Sequence, residues 1–130
     1  MNILKVVAFK KPNINYCQGM NYIAAFIYQL TNDEEEAFYL FYSIMNNTEY
    51  SEIFLNDLNK LKRFFYVFDR LLFIYQPELS VYFKNNSILV SYFISPWFIT
   101  LFTSAYQYVN HDTYPKVLIR IWDDFLLVKI

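Results

Sequence analysis

Gln18 and Gly19 are the residues of this chain whose types and neighbours best suit chemistry. They sit in Tyr16-Cys17-Gln18-Gly19-Met20-Asn21, which holds the only glycine and the only cysteine in 130 residues. Glycine has no Cβ, so a foreign backbone can come close at Gly19. Gln18 carries a neutral amide that both donates and accepts hydrogen bonds. An apolar helical pattern begins just after the pair. A helix N-terminus beside a permissive glycine suits contact with a phosphate-bearing partner. A plainer reading is that Gln18 and Gly19 merely start a helix, and spacing alone leaves both open.

Little else in the chain offers chemistry. One Cys and one His exclude a disulfide framework within the chain and a multi-ligand Cys/His metal site, so no metal and no cofactor is expected. Cys17 reads as a small buried hydrophobe, compatible with a reducing compartment. His111 falls in the polar turn Asn110-His111-Asp112-Thr113, where a histidine is ordinarily structural or solvated. The run Glu34-Glu35-Glu36 reads as the acidic start of a helix rather than a metal or catalytic cluster. Formal net charge is −1, and Lys10-Lys11 and Lys60, Lys62 and Arg63 read as solvated faces, so no nucleic acid is expected. No P-loop, GxGxxG, HExxH or nucleophile elbow is present.

The length fits one domain, which can bury roughly two thirds of its unfolded surface. Hydrophobic residues make up 56% and aromatics 22%, against 18% charged. That is too apolar for disorder and more apolar than a small domain needs. Part of this surface is expected to be an interface, or to be covered by chain outside this sequence. The most apolar windows, 64–75 and 92–102, are broken by Asp69 and Arg70 and by Pro96. Both are short of the roughly 20 residues of a membrane span. No secretory leader is read at the start, so a cytoplasmic location is expected.

Helical periodicity must position the candidate residues. Residues 2–10 form an opening segment with Ile3, Val6 and Val7 on one side, broken by Pro12. A helix from about Gln18 to Leu30 carries Met20, Ile23, Ala24 and Ile27 at helical spacing. Tyr22 and Phe26 occupy another face, so burial nearly all round is expected. Thr31 to Glu34 reads as a capping box, with Thr31 as cap and Glu34 reaching back. Ala37, Phe38, Phe41, Ile44 and Met45 stripe the next helix, which Asn46-Asn47 ends. A longer helix spans about 57–76, with a seam of Leu58, Leu61, Phe65, Phe68, Leu72 and Tyr75. That seam is too short for a coiled coil and reads as core. Pro77 starts a short helix at 77–84. Ser95-Pro96 reads as N-cap and first helical residue of a helix carrying Trp97, Phe98, Leu101 and Phe102. Asp112 or Thr113 caps the last helix, where Val117, Leu118, Ile121, Trp122, Phe125 and Leu126 form two adjacent apolar rows. Lys116, Arg120, Asp123 and Asp124 form its wet side, with Arg120 paired to Asp123 or Asp124. No segment alternates with period 2. The fold class is all-α.

At this point the sequence resembles the TBC domain family, the GTPase-activating domains for Rab small GTPases. Tyr16 to Asn21 is similar to that family's glutamine-finger motif, YxQG followed by Met-Asn. Glu35-Glu36-Ala37-Phe38 resembles the acidic start of the next family helix, and Pro77-Glu78-Leu79 its P-x-L. Trp97 to Phe102 resembles the WFxxLF helix, and Arg120-Ile121-Trp122-Asp123 with Phe125-Leu126 the RIWDxFL helix. Five motifs in order cover nearly all of the chain. The resemblance implies an all-helical domain that grips a GTP-bound Rab and is itself no enzyme, but an activator acting in trans. It implies that Gln18 positions the attacking water and that Tyr16, Gly19 and Asn21 bind the GTPase. Trp97, Trp122 and Phe125 are core residues on any reading. The resemblance also implies endomembranes as the place of action, reached through the partner.

Two departures qualify it. The family's arginine-bearing motif, IxxDxxR, belongs upstream of the glutamine finger, whereas the only arginines here are Arg63, Arg70 and Arg120. Asn15 stands where family members often carry glycine, which would stiffen the finger loop. Residues 1–130 are therefore expected to be a partial TBC domain, incomplete at both ends, with exposed apolar faces on 2–10 and 117–128. The competing function is a non-catalytic helical module that binds a small GTPase or another protein.

Overall fold

The structure, a computed structural model, describes residues 2–14, 16–47, 49–55, 58–108 and 114–129. Among these residues the fold is all-α. Three helices open the chain: α1 (Ile3–Lys10), α2 (Met20–Thr31) and α3 (Glu34–Asn47). A 3-10 helix at Glu49–Phe54 leads to α4 (Asn59–Tyr75), α5 (Pro77–Asn85) and α6 (Ser91–Ile99). A second 3-10 helix, Thr103–Tyr108, precedes α7 (Tyr114–Lys129). The readings of Asn15, His111, Asp112 and Thr113 lie outside the described residues.

Helices α1, α2 and α3 pack on one another, and α4 packs on α5 and α6. The second 3-10 helix touches α2, α6 and α7, and so joins the parts. The stripe expected on α2 is its buried face: Met20, Ile23, Ala24 and Ile27 are all in the core. Against it lie Ala37, Phe41, Ile44 and Met45 of α3. Ala24 and Ala37, both fully buried, keep the side chains between these helices short, so their backbones can approach closely. Leu118 and Trp122 of α7 close the same core.

Several local expectations are corrected. Helix α2 is not buried all round, since Tyr28 and Leu30 are exposed. Thr31 is not the cap of α3 but the last residue of α2, where its hydroxyl donates to Ile27 O (3.2 Å). Asp33 caps α3 instead. One carboxylate oxygen accepts from the amides of both Glu35 and Glu36 at 2.8 Å. Glu34 does not reach back to Thr31; its Oε1 accepts from the Asn2 amide at 2.6 Å, tying α1 to α3. An aspartate at the cap does the same work as threonine with a full charge against the helix dipole, which is why the two readings differ by only two positions.

Ser95-Pro96 does not start a helix. Pro96 lies inside α6, and the Ser95 hydroxyl donates to Ser91 O at 2.7 Å. An interior proline removes one helical amide. The last turn is held by Thr100, whose N–H (3.1 Å) and hydroxyl (2.6 Å) both donate to Pro96 O. This helix ends at Ile99, so Leu101 and Phe102 are not on it. On α4 only Leu61 of the seam is fully buried, and Tyr75 is exposed. Val6, Phe9, Val117, Ile119 and Leu127 are exposed, on the two segments where apolar exposure was expected.

Candidate functional site

The segment from Tyr16 to Gly19 links α1 to α2. The Met20 amide donates to Cys17 O (3.1 Å), and Tyr22 N donates to Gly19 O (3.0 Å). Gly19 is the N-cap of α2 and has φ +118°, a left-handed conformation that a side chain strains. Asn21 turns its Oδ1 back to accept from the Gly19 amide at 3.2 Å. Helix α2 therefore begins two residues after Gln18, and Asn21 serves its first turn.

Gly19 is buried, and its missing side chain faces the chain's own α6. A Cβ there would stand 2.6 Å from Ile99 Cγ2 and 3.1 Å from Thr100 Cγ2. The close approach that glycine permits is thus used by Ile99.

Gln18 is exposed and lines a cavity of about 540 Å³ between this loop and the end of α6. Cys17, Gly19 and Tyr22 line it from the same side, and Ser95, Pro96, Ile99, Thr100 and Ser104 from the other. None of these lining residues is acidic, basic or a histidine. Thr100 Oγ1 and Ser104 Oγ lie 2.9 Å apart. The Cys17 thiol is half-buried rather than fully buried, and burial pushes its pKa up, so it stays protonated at neutral pH. The site offers neutral amide, hydroxyl and thiol groups around an opening. Such groups can orient water or a phosphate oxygen by hydrogen bonding.

Tyr16 is exposed at the mouth of the loop. Tyr16, Gln18, Gly19 and Asn21 are thus brought together, as consecutive sequence requires. Trp122 is buried in the core, where its ring meets Phe26 at 4.8 Å between centroids, and Phe125 packs half-buried against that core. Trp97 lies outside it, half-buried beside Phe68, Phe93 and Phe102. Sequence reasoning missed Ser95, Ile99, Thr100 and Ser104 as cavity residues. Nothing in their spacing marks them, because they reach the site only through the packing of α6 against Gly19.

An all-helical domain with a glutamine on a glycine-capped loop is the class defined by fold and site. The Rab-GTPase-TBC domain family model matches residues 1–130. The chain belongs to that family. It is 29% identical over 125 residues to the "Ecotropic viral integration site 5 protein homolog" of Homo sapiens, covering 96% of this chain and 14% of that protein. It is 35% identical over 107 residues to the "GTPase-activating protein GYP5" of Eremothecium gossypii, covering 82% and 13%. It is 30% identical over 104 residues to the "Rab GTPase-activating protein eat-17" of Caenorhabditis elegans, covering 80% and 12%. The chain thus spans about a seventh or less of the length of these relatives.

Proposed function

We propose that this chain acts on a GTP-bound Rab-type GTPase and that Gln18 positions the water that attacks the γ-phosphate. The observation that carries this reading is the exposed Gln18 amide at the mouth of a neutral cavity, on a loop whose direction Gly19 fixes. Tyr16 and Asn21 would meet the GTPase beside it, and Gly19 would shape that contact from below. The chain would be an activator in trans rather than an enzyme with its own substrate chemistry. It would work on the cytoplasmic side of endomembranes through its partner. The names of the Eremothecium gossypii and Caenorhabditis elegans relatives support the same direction.

Phosphoryl transfer needs positioning together with charge stabilisation, and a trans arginine contributes roughly 10³ to 10⁵ in rate. No arginine lines the cavity. Arg63 and Arg70 are on α4, and Arg120 on α7 pairs with Asp124 at 3.3 Å. These 130 residues therefore supply the water-positioning half alone. That observation also favours a second reading, a module that binds the GTPase without speeding hydrolysis.

Single-turnover GTP hydrolysis by a panel of Rab GTPases separates the two. The chain alone should accelerate hydrolysis less than about tenfold. The same residues preceded by a segment bearing the family's arginine motif should reach about 10³-fold or more. Gln18→Ala in that longer protein should remove about 10²-fold, as loss of a well-placed catalytic hydrogen-bonding group does, with GTPase binding little changed. An unchanged rate in Gln18→Ala would take the water-positioning role from Gln18 and leave the motif as the start of a helix.

A further inference from the structure

The turn after α6 is held from behind by two buried donors. Tyr50, in the first 3-10 helix, donates its hydroxyl to Ile99 O at 2.6 Å. Trp122 donates Nε1–H to Leu101 O at 3.0 Å. Between and beyond these carbonyls the backbone is strained: Leu101 has φ 46° and Phe102 φ 66°. Non-glycine residues rarely adopt that region, and they persist there only when the surroundings over-determine them. The front of the same turn presses on the finger loop, because Ile99 Cγ2 occupies the space where Gly19 lacks a side chain.

Tyr50 is itself firmly placed. It is buried and meets Phe54 (5.3 Å) and Phe125 (5.7 Å) edge to face. Burial pushes its pKa well above the ordinary tyrosine range, and the nearby Cys17 adds to that, so the hydroxyl remains a donor at physiological pH. The geometry points to Tyr50 as a positioning residue for Gln18: its hydroxyl fixes Ile99, Ile99 fixes Gly19, and Gly19 fixes the direction in which Gln18 leaves the loop. The inference rests on the reading of Gln18 as the water-positioning group. It assigns to Tyr50 a role that lies 32 positions away in sequence and outside every motif that marked the site.

Tyr50→Phe keeps the ring and removes the O–H. Cys17, the only thiol in the chain, reports on the loop through its rate of alkylation by iodoacetamide. Tyr50→Phe should raise that rate at least about threefold. Ile44→Val, a core change on α3 chosen to lower global stability by a similar amount, should leave it near the starting value. An unchanged rate in Tyr50→Phe, or an equal rise in Ile44→Val, overturns the inference, since the coupling would then be absent or merely global. In the arginine-bearing protein, Tyr50→Phe should lower kcat about tenfold with KM within about twofold, as a misplaced group does. It should have no further effect on Gln18→Ala. If Gln18→Ala abolishes activation while Tyr50→Phe retains full kcat, the role of Tyr50 falls and Gln18 stands. If Gln18→Ala has no effect, both fall.

Discussion

The α1–α3 region and the α4–α6 region are built from different materials. The first buries its side chains almost completely, with aliphatic Ile23, Ala24, Ala37 and Met45, and the ring of Phe41, at 0% exposure. The second relies on rings. Phe64 stacks on Phe98 at 4.9 Å, and Phe93 meets Phe83, Phe68 and Trp97 at 5.3 to 6.0 Å. In that region only Leu61 and Ile94 are fully buried among the described helical residues, and α5 buries none. Tyr66, Phe73, Ile74, Tyr75 and Tyr82 remain exposed. Burial stabilises in proportion to the apolar area removed from water, so a large ring gains substantially even when partly buried, and paired rings add about 0.5–1.5 kcal/mol beyond that area. The candidate site lies on the seam. One wall, at Gly19 and Tyr22, grows from the tight region, and the other, at Ser95 to Thr100, from the looser one.

The sharpest way to break this contrast is a pair of truncations. Phe41→Ala should cost about 3–5 kcal/mol in urea unfolding, because the void it leaves is enclosed. Phe68→Ala should cost about 1–2 kcal/mol, since its ring is half-exposed before it is removed. Equal losses would mean that the α4–α6 layer is as tightly built as the core, and the contrast would fail.

The same contrast explains what could be read from sequence. The apolar stripes of α2 and α3 were legible because full burial on one face imposes period 3.6 without exception. The Glu34–Glu36 run and Pro77 marked helix starts for the physical reasons expected. The seam of α4 misled at Tyr75, because a half-exposed aromatic layer tolerates apolar residues on its wet side. Ser95-Pro96 misled because a cap signal is local, while the apolar run upstream of it extended the helix backwards to Ser91. At the site, Gln18 and Gly19 were visible by rarity. Ile99 and Tyr50 were not, since a carbonyl accepting from a residue 49 positions earlier leaves no trace in spacing.

Alkaline pH probes the link between the regions. Tyr50 has a raised pKa in the folded state, from burial first. Lys60, on α4, is also raised, mainly by its hydrogen bond to Glu52 at 2.8 Å. A group whose folded pKa exceeds its unfolded value binds its proton more tightly when folded. Its stabilisation is complete below the unfolded pKa, roughly 10 for both types, and is lost as pH rises through the folded value. Thermal unfolding should therefore show a flat midpoint up to about pH 9 and a fall above about pH 10. Tyr50→Phe should flatten most of that fall. Lys60→Met should change it little, because Glu49 and Glu52 are exposed and the pair is screened. A fall governed by Lys60 instead would place the alkaline weakness on the surface rather than in the bond that joins the two regions.

The smallest contrast compares one polar side chain from each region. Asp33 accepts from two amides that otherwise have no helical partner, so Asp33→Ala should cost about 1 kcal/mol. Ser95 bonds only to the Ser91 carbonyl, which already lies within a helix. Alanine favours a helix interior over serine by about 0.5 kcal/mol, and this offsets the lost bond. Ser95→Ala should therefore change stability by no more than about 0.5 kcal/mol. Both values come from the same urea titration. A Ser95→Ala loss as large as that of Asp33→Ala would mean that Ser95 caps a helix after all. A loss confined to Asp33 would instead leave Ser95 as an interior residue of α6 and Asp33 as a cap that stabilises its helix with charge.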